Sequence, residues 1–291
     1  MESKGYLLVA TLTKPFYDAM VMCVQSLKDE VPDAKVAVFT HEEWVRDEDR
    51  HLFDHLITPV PAHCRTKLWA LPQTPFDITC YLDVDGFVLN NEIEEVFDLI
   101  GDADVVMSEN RPYNAKVVYF THDDQVGPGI PGEELEHYRK EHIELYRQGK
   151  AHKFRWHCGM FVWRKNERTQ KLWEQWLYWY KKHTVEGNTS PFPKGLTYWD
   201  TFAFWRALYE NPDMNVNIQR MPNDAKYNFV TGYKETELRP GSEKAFLHYT
   251  IDPKKTEVRE AYIINETGFN FTYGSFAVSY THLTLPTIYS V

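Results

Sequence analysis

Apolar positions fall into short runs separated by segments of helical period. GYLLVATLT (5–13) is a compact apolar run of β-type residues and predicts a first buried strand. In the PFYDAMVMCVQSLKDE stretch that follows, Ala19, Met22, Cys23, Ser26 and Leu27 recur at helical spacing. AKVAVFT (34–40) predicts a second strand and HLITPVPA (55–62) a weaker third, with the polar HEEWVRDEDRHLF between them helical in part. TKLWALPQT predicts a helix that ends near Pro72. ITCYLDV (78–84) predicts a strand, EIEEVFDLI (92–100) a helix and ADVVMSE (103–109) another strand.

The second half is less regular. GEELEHYRKEHIELYRQG (132–149) predicts an exposed charged helix, and GNTSPFPKG (187–195) a loop. HCGMFVWRK (157–165) and KAFLHYT (244–250) predict strands, and YWDTFAFWRALYE (198–210) a helix. In ERTQKLWEQWLYWYKKH, Leu172, Trp173, Trp176, Leu177 and Tyr180 share one helical face, which makes core packing a better account of the tryptophans than a sugar platform. Alternating strands and helices predict an α/β fold with a mostly parallel sheet. Near-continuous apolar strands predict cover on both faces. No repeat and no Gly-, Ser- or Pro-rich linker divides the chain, so 1–277 reads as one domain. The last stretch, VSYTHLTLPTIYSV (278–291), can be spelled by codons beginning GTC TCT TAT ACA CAT CT, the end of a widely used transposase sequencing adapter. It reads as a translated, non-native tail and is left out of functional argument.

Composition narrows the partners. A net charge of −10 argues against nucleic acid or an anionic membrane and makes a bound cation useful for holding a phosphorylated ligand. Aromatic residues at 15% supply both core and pocket walls. The 4 cysteines form no CxxC pair and read as reduced thiols. MESKGYLLVATLTK is too short an apolar run for a signal peptide, and no stretch approaches the ~18 apolar residues of a membrane span. The expected location is cytoplasmic.

The chemistry gathers at DITCYLDVDGFVLNN (77–91), where a strand ends in Asp83 and Asp85 with Val84 between them. Ligands of open α/β sheets bind beyond the carboxyl ends of strands. Side chains two apart on a strand share a face. The pair can be a solvated turn before Gly86, or a site for Mn²⁺ or Mg²⁺ bridging a diphosphate. It can also be a phosphatase pair, since YLDVDGFVL resembles the first motif of the haloacid dehalogenase superfamily, which would make Asp83 a nucleophile.

RTKLWALPQTPFDITCYLDVDGFVLNNEIEEVF resembles the GT-A glycosyltransferases, and most nearly the glycogenin-like family 8 group. HCGMFVWRK resembles that group's glycine-bearing strand, YWDTF the start of its acidic helix, and FLHYTIDPKK a late segment. His157 and Cys158 stand where the family strand has Asn-Ser, and Thr201 where Gln is usual. The resemblance implies a GT-A three-layer α/β/α sandwich. It implies a metal-dependent transferase that moves a sugar from a nucleoside diphosphate sugar, UDP-linked, to an acceptor hydroxyl with retention. The implied metal ligands for Mn²⁺ or Mg²⁺ are Asp83, Asp85 and His248. Donor contacts are implied at Thr11, Thr13, Tyr17 (stacked on the base), Lys67, Val84, Asp104, Gly159, Lys254 and Lys255. Asp200 and Lys67 are the candidates for direct participation in transfer. The acceptor, a carbohydrate, lipid or protein, is not named by the sequence. A non-catalytic nucleotide-sugar binder is the remaining alternative.

Overall fold

The computed structural model describes residues 2–11, 14–58, 61, 65–109, 156–183, 200–230 and 238–248. Two sheets are present among them. The larger has seven strands in the order β3-β2-β1-β4-β7-β6-β8. These are β1 (Lys4–Ala10), β2 (Val36–Thr40), β3 (His55–Ile57), β4 (Ile78–Leu82), β6 (Val105–Glu109), β7 (Trp156–Arg164) and β8 (Ile218–Arg220). The smaller joins β5 (Gly86–Val88), β10 (Phe246–His248) and β9 (Phe229–Val230) in the order β5-β10-β9. The helices are α1 (Lys14–Glu30), α2 (Lys67–Ala70), α3 (Glu167–His183), α4 (Asp200–Glu210) and α5 (Asp224–Tyr227).

The expected α/β fold with a mostly parallel sheet is what forms. β1 pairs in parallel with β2 and β4, β2 with β3, and β6 with β8. Only β7 runs against its neighbours β4 and β6. Period two splits each central strand between two cores. Leu8, Val38, Cys80, Leu82 and Val162 pack on the α1 face. Leu7, Phe39, Tyr81, Phe161 and Trp163 pack on the face covered by α3 and α4. Both faces are dry, which is why these strands are apolar without alternation. The α3 tryptophans are core residues: Trp173 stands edge-on to Trp163 at 5.5 Å, and Trp176 donates from Nε1 to the Asp200 carbonyl at 2.8 Å. That bond pins the first residue of α4.

Two predicted helices take a tighter form. The stretch expected as a helix over 92–100 is a 3₁₀ segment, Asn91–Phe97, capped by the Asn90 side chain accepting from Glu92 N at 3.1 Å. Its buried Ile93 and Val96 are three apart, the spacing that a three-residue turn stacks on one side. The polar stretch 41–53 holds two short 3₁₀ segments, Glu42–Trp44 and Asp47–Leu52. Cys23, Cys80 and Cys158 are buried free thiols. Among the described residues no helix is long and apolar enough to cross a membrane. The predicted charged helix 132–149, the loop 187–195 and the tail 278–291 lie outside the described residues, as do Thr13, Cys64, Lys254 and Lys255.

Candidate active site

Asp83 and Asp85 occupy the turn between β4 and β5, where the chain leaves the large sheet for the small one. They converge by this turn, not by the shared strand face that period two predicts. β10 then closes on β5 in antiparallel register, His248 opposite Gly86. That pairing sets the last residue of β10 beside the first of β5, and so sets His248 against Asp85. His248 Nε2 lies 3.2 Å from Asp85 Oδ1 and 4.0 Å from Asp83 Oδ2. One ligand atom from each of the three residues falls within 4.8 Å of the others. Gly86 is needed for closure, because a Cβ there would enter the Phe246 ring.

Lys67, the first residue of α2, is buried beside this cluster. Its Nζ donates to the Cys158 carbonyl at 2.7 Å and pairs with Asp200 Oδ2 at 2.6 Å and Asp83 Oδ1 at 3.5 Å. Asp83 Oδ1 also accepts from Tyr81 OH at 2.6 Å. Arg65 Nε lies 3.6 Å from Asp200 Oδ2. The cleft outside is lined by Thr11, Phe16, Arg65, Lys67, Asp83 and Asp85.

These contacts set the charges. Burial opposes charge on Lys67, but Asp200 and Asp83 outweigh it and hold the ammonium above its usual range. Burial likewise opposes the Asp200 carboxylate, and Lys67 and Arg65 outweigh it and hold that group low. Asp83 goes the other way: burial, helped by Asp85, leaves its carboxyl above the usual range despite Lys67. For His248, burial favours the neutral ring, but Asp85 and Asp83 outweigh it and hold the pKa up. His157, half-buried behind it, is pushed down to about 3 by desolvation and by His248. The cluster therefore has one undercompensated carboxylate and an imidazole that draws a proton between itself and Asp85. A divalent cation at the same place answers both demands. The donor set fits it: carboxylate oxygens suit Mg²⁺ and Mn²⁺, and the imidazole nitrogen favours the transition ion of the two.

Other expected contacts sit differently. Asp104 precedes β6 at the opposite edge of the sheet from Asp83. Its oxygens are taken by Arg168 at 2.7 and 2.8 Å, Asn166 at 2.7 Å and Asn217 N at 2.8 Å. These partners tie it into the framework at the start of β6. Tyr17 is fully buried and donates to Asp49 at 2.6 Å, so neither ring face is open to a base. Phe16, one residue earlier on α1, lines the cleft instead. Thr11 does reach the cleft, with its hydroxyl donating to Thr66 at 2.6 Å. Val84 lines the cleft with its side chain in the core. Gly159 lies behind the cluster, against the rings of His157 and His248. Sequence reasoning passed over Phe16, Arg65 and Asn228. Arg65, two residues before Lys67 in the RTK triplet, was open to notice; Asn228 carried no local signal.

No protein-family model and no curated protein sequence matches the chain. Solved structures do. The glycosyltransferase GlyE of Streptococcus pneumoniae TIGR4 superposes with a TM-score of 0.53 at 12% identity, over 99% of this chain and 64% of that one. The galactosyltransferase LgtC, determined with donor and acceptor sugar analogues, superposes with a TM-score of 0.50 at 11% identity, over 94% of this chain and 99% of that one. The chain has a GT-A fold. The bifunctional glycosyltransferase WbbM gives a TM-score of 0.52 at 12% identity, over 96% of this chain but 51% of that one. The chain thus spans about two thirds or less of GlyE and WbbM and nearly the whole of LgtC. At these identities the likeness is one of fold.

Proposed function

We propose that this protein is a metal-dependent glycosyltransferase that moves a sugar from a UDP-sugar to an acceptor hydroxyl. The observation that carries the reading is the convergence of Asp83, Asp85 and His248 at the edge of the cleft, beside the buried Lys67, in a GT-A fold. Asp83, Asp85 and His248 would hold Mn²⁺. The ion, when bound, supplies positive charge that offsets what builds on a departing diphosphate. Lys67 and Arg65 bring further positive charge to the cleft wall. Lys67 holds the Asp200 carboxylate ionised and fixed, ready to orient a sugar or acceptor hydroxyl. The aromatic face of Phe16 offers the cleft an apolar surface. Catalysis on this reading is positional and electrostatic, with little covalent work for the protein. Retention at the anomeric carbon is part of the proposal, and is read from the product's anomeric proton coupling. The phosphohydrolase alternative loses ground because Asp85 is engaged with His248 and the fold is shared with glycosyltransferases.

Calorimetric titration of UDP into the full chain, with and without Mn²⁺, tests the reading beside the Asp83→Ala, Asp85→Ala double variant. The expected result is binding that needs Mn²⁺ and vanishes in the variant. Folded wild-type protein that binds UDP under neither condition overturns it.

A further inference from the structure

Behind the cluster a run of polar contacts leads away from the cleft. Gly159 N–H meets His157 Nδ1 at 3.1 Å. Asn228 Nδ2 lies 2.9 Å from that same nitrogen. Asn228 Oδ1 lies 3.1 Å from His248 Nδ1. His248 Nε2, on the far side of the ring, faces Asp85 and Asp83. Asn228 is 1% exposed and His248 3%, so water is kept from these partners.

One atom of the run has a fixed role, and it decides the others. A backbone N–H only donates. His157 Nδ1 therefore accepts and carries no proton. The Asn228 atom facing it must donate, so it is the amide nitrogen. The remaining Asn228 atom is the oxygen, which only accepts. His248 Nδ1 must then carry a proton. Nε2 is then the nitrogen that faces the carboxylates: without a metal it shares a second proton with Asp85, and a cation that displaces that proton meets the Nε2 lone pair.

We propose that His157 and Asn228 are positioning residues that hold His248 as the Nδ1-protonated tautomer, so that Nε2 is ready as a ligand beside Asp83 and Asp85. The backbone is built for this. The β6–β7 register jumps from Met107–Phe161 to Ser108–His157, which lifts residues 158–160 out of that ladder and turns the Gly159 N–H to the His157 ring. Glycine is required there, since a Cβ would enter both imidazoles. Asn228 arrives as the residue before β9, whose parallel pairing with β10 brings it alongside His248. Partners behind a metal-ligating histidine fix its tautomer and ring orientation, and losing one typically weakens metal binding about 10- to 100-fold.

The purpose of the relay rests on the metal reading above; its geometry does not. The test uses the full chain with ¹⁵N-labelled histidine, metal-free, at pH 9, with each ring assigned by its Gln variant. Two-bond ¹H–¹⁵N spectra are expected to show a proton on His248 Nδ1 and the His157 proton on Nε2. A His248 Nδ1 that carries no proton overturns the proposal, whatever Nε2 carries. In Asn228→Leu, His248 is expected to become a mixture of tautomers and Mn²⁺ affinity to fall about 10- to 100-fold. Unchanged spectra with unchanged affinity overturn it. Should that variant fail to fold, Asn228→Asp keeps an acceptor for His248 Nδ1 while denying His157 its donor. His248 signals and Mn²⁺ affinity are then expected near wild type with only the His157 signals moved, and loss of the His248 tautomer overturns the relay. Wild-type protein that shows the Nδ1 proton yet binds no Mn²⁺ removes the metal reading and leaves the tautomer assignment standing.

Discussion

Lys67 is the buried cation that Asp200 and Asp83 share. Lys67→Met removes that cation and leaves the Asp200 charge buried against a weaker partner, Arg65. Breaking a buried pair from one side costs about 3–5 kcal/mol, so urea denaturation at neutral pH is expected to show a loss of that order. The Asp200 carboxyl is held below its usual range, so its contribution is full above about pH 4 and is lost as pH falls through the lower folded value. His248 has the opposite sign. Its pKa is raised, so its stabilising proton is fully present below about pH 6.5 and is lost as pH rises through the folded value. The same proton competes with a metal ion. Mn²⁺ affinity is therefore expected to climb with pH above 6.5 and then level off, in calorimetric titrations at a series of pH values. A flat profile would count against His248 as a ligand.

Asp104 is the telling case at the scale of elements. The sequence offers Asp104 as a donor contact, and nothing local in it shows which partners the carboxylate takes. The carboxylate in fact ties the start of β6 to α3 through Arg168 and to the entry of β8 through Asn217 N. Asp104→Asn is expected to cost about 1–3 kcal/mol of stability, the usual penalty for spoiling a buried hydrogen-bonded group. UDP and Mn²⁺ affinities are expected to stay at wild-type values, and a matching loss of UDP binding would return Asp104 to the donor site. The inner strands of the large sheet were legible because long apolar runs buried on two faces have a plain signature; the edge strand β8, with two of its three residues exposed, was not. Of the small sheet only β10 was legible, within the predicted strand 244–250; β5 and β9, of three and two residues, are shorter than any period that could mark them. The 3₁₀ segment at 91–97 was mistaken for an α-helix because both forms bury residues three apart.

At the largest scale, the two cores lie on opposite faces of the large sheet, beside a cleft whose charges are unbalanced without a ligand. Mn²⁺ with UDP at about 100 times the dissociation constant is expected to add roughly 2.7 kcal/mol of stability through mass action. A thermal scan is expected to show the midpoint rise with both present and return on adding a chelator. A midpoint indifferent to them would speak against a ligand-binding cleft.

By itself the sequence determined the α/β class, the buried strands, the place of Asp83 and Asp85 at a strand end and the core role of the α3 tryptophans. All of these follow from local periodicity, which any short window of the chain displays. Resemblance to a family added Lys67, Asp200 and His248 to the site without showing how they meet. The tertiary structure alone decided that Tyr17 is walled in while Phe16 faces the cleft, that Asp104 is tied into the framework at the start of β6, and that Asn228 and His157 stand behind His248. Those outcomes depend on which strands pair and in what register. β10 closing on β5 joins residues far apart in the chain, and a contact set by such pairing leaves no pattern in the sequence on either side of it.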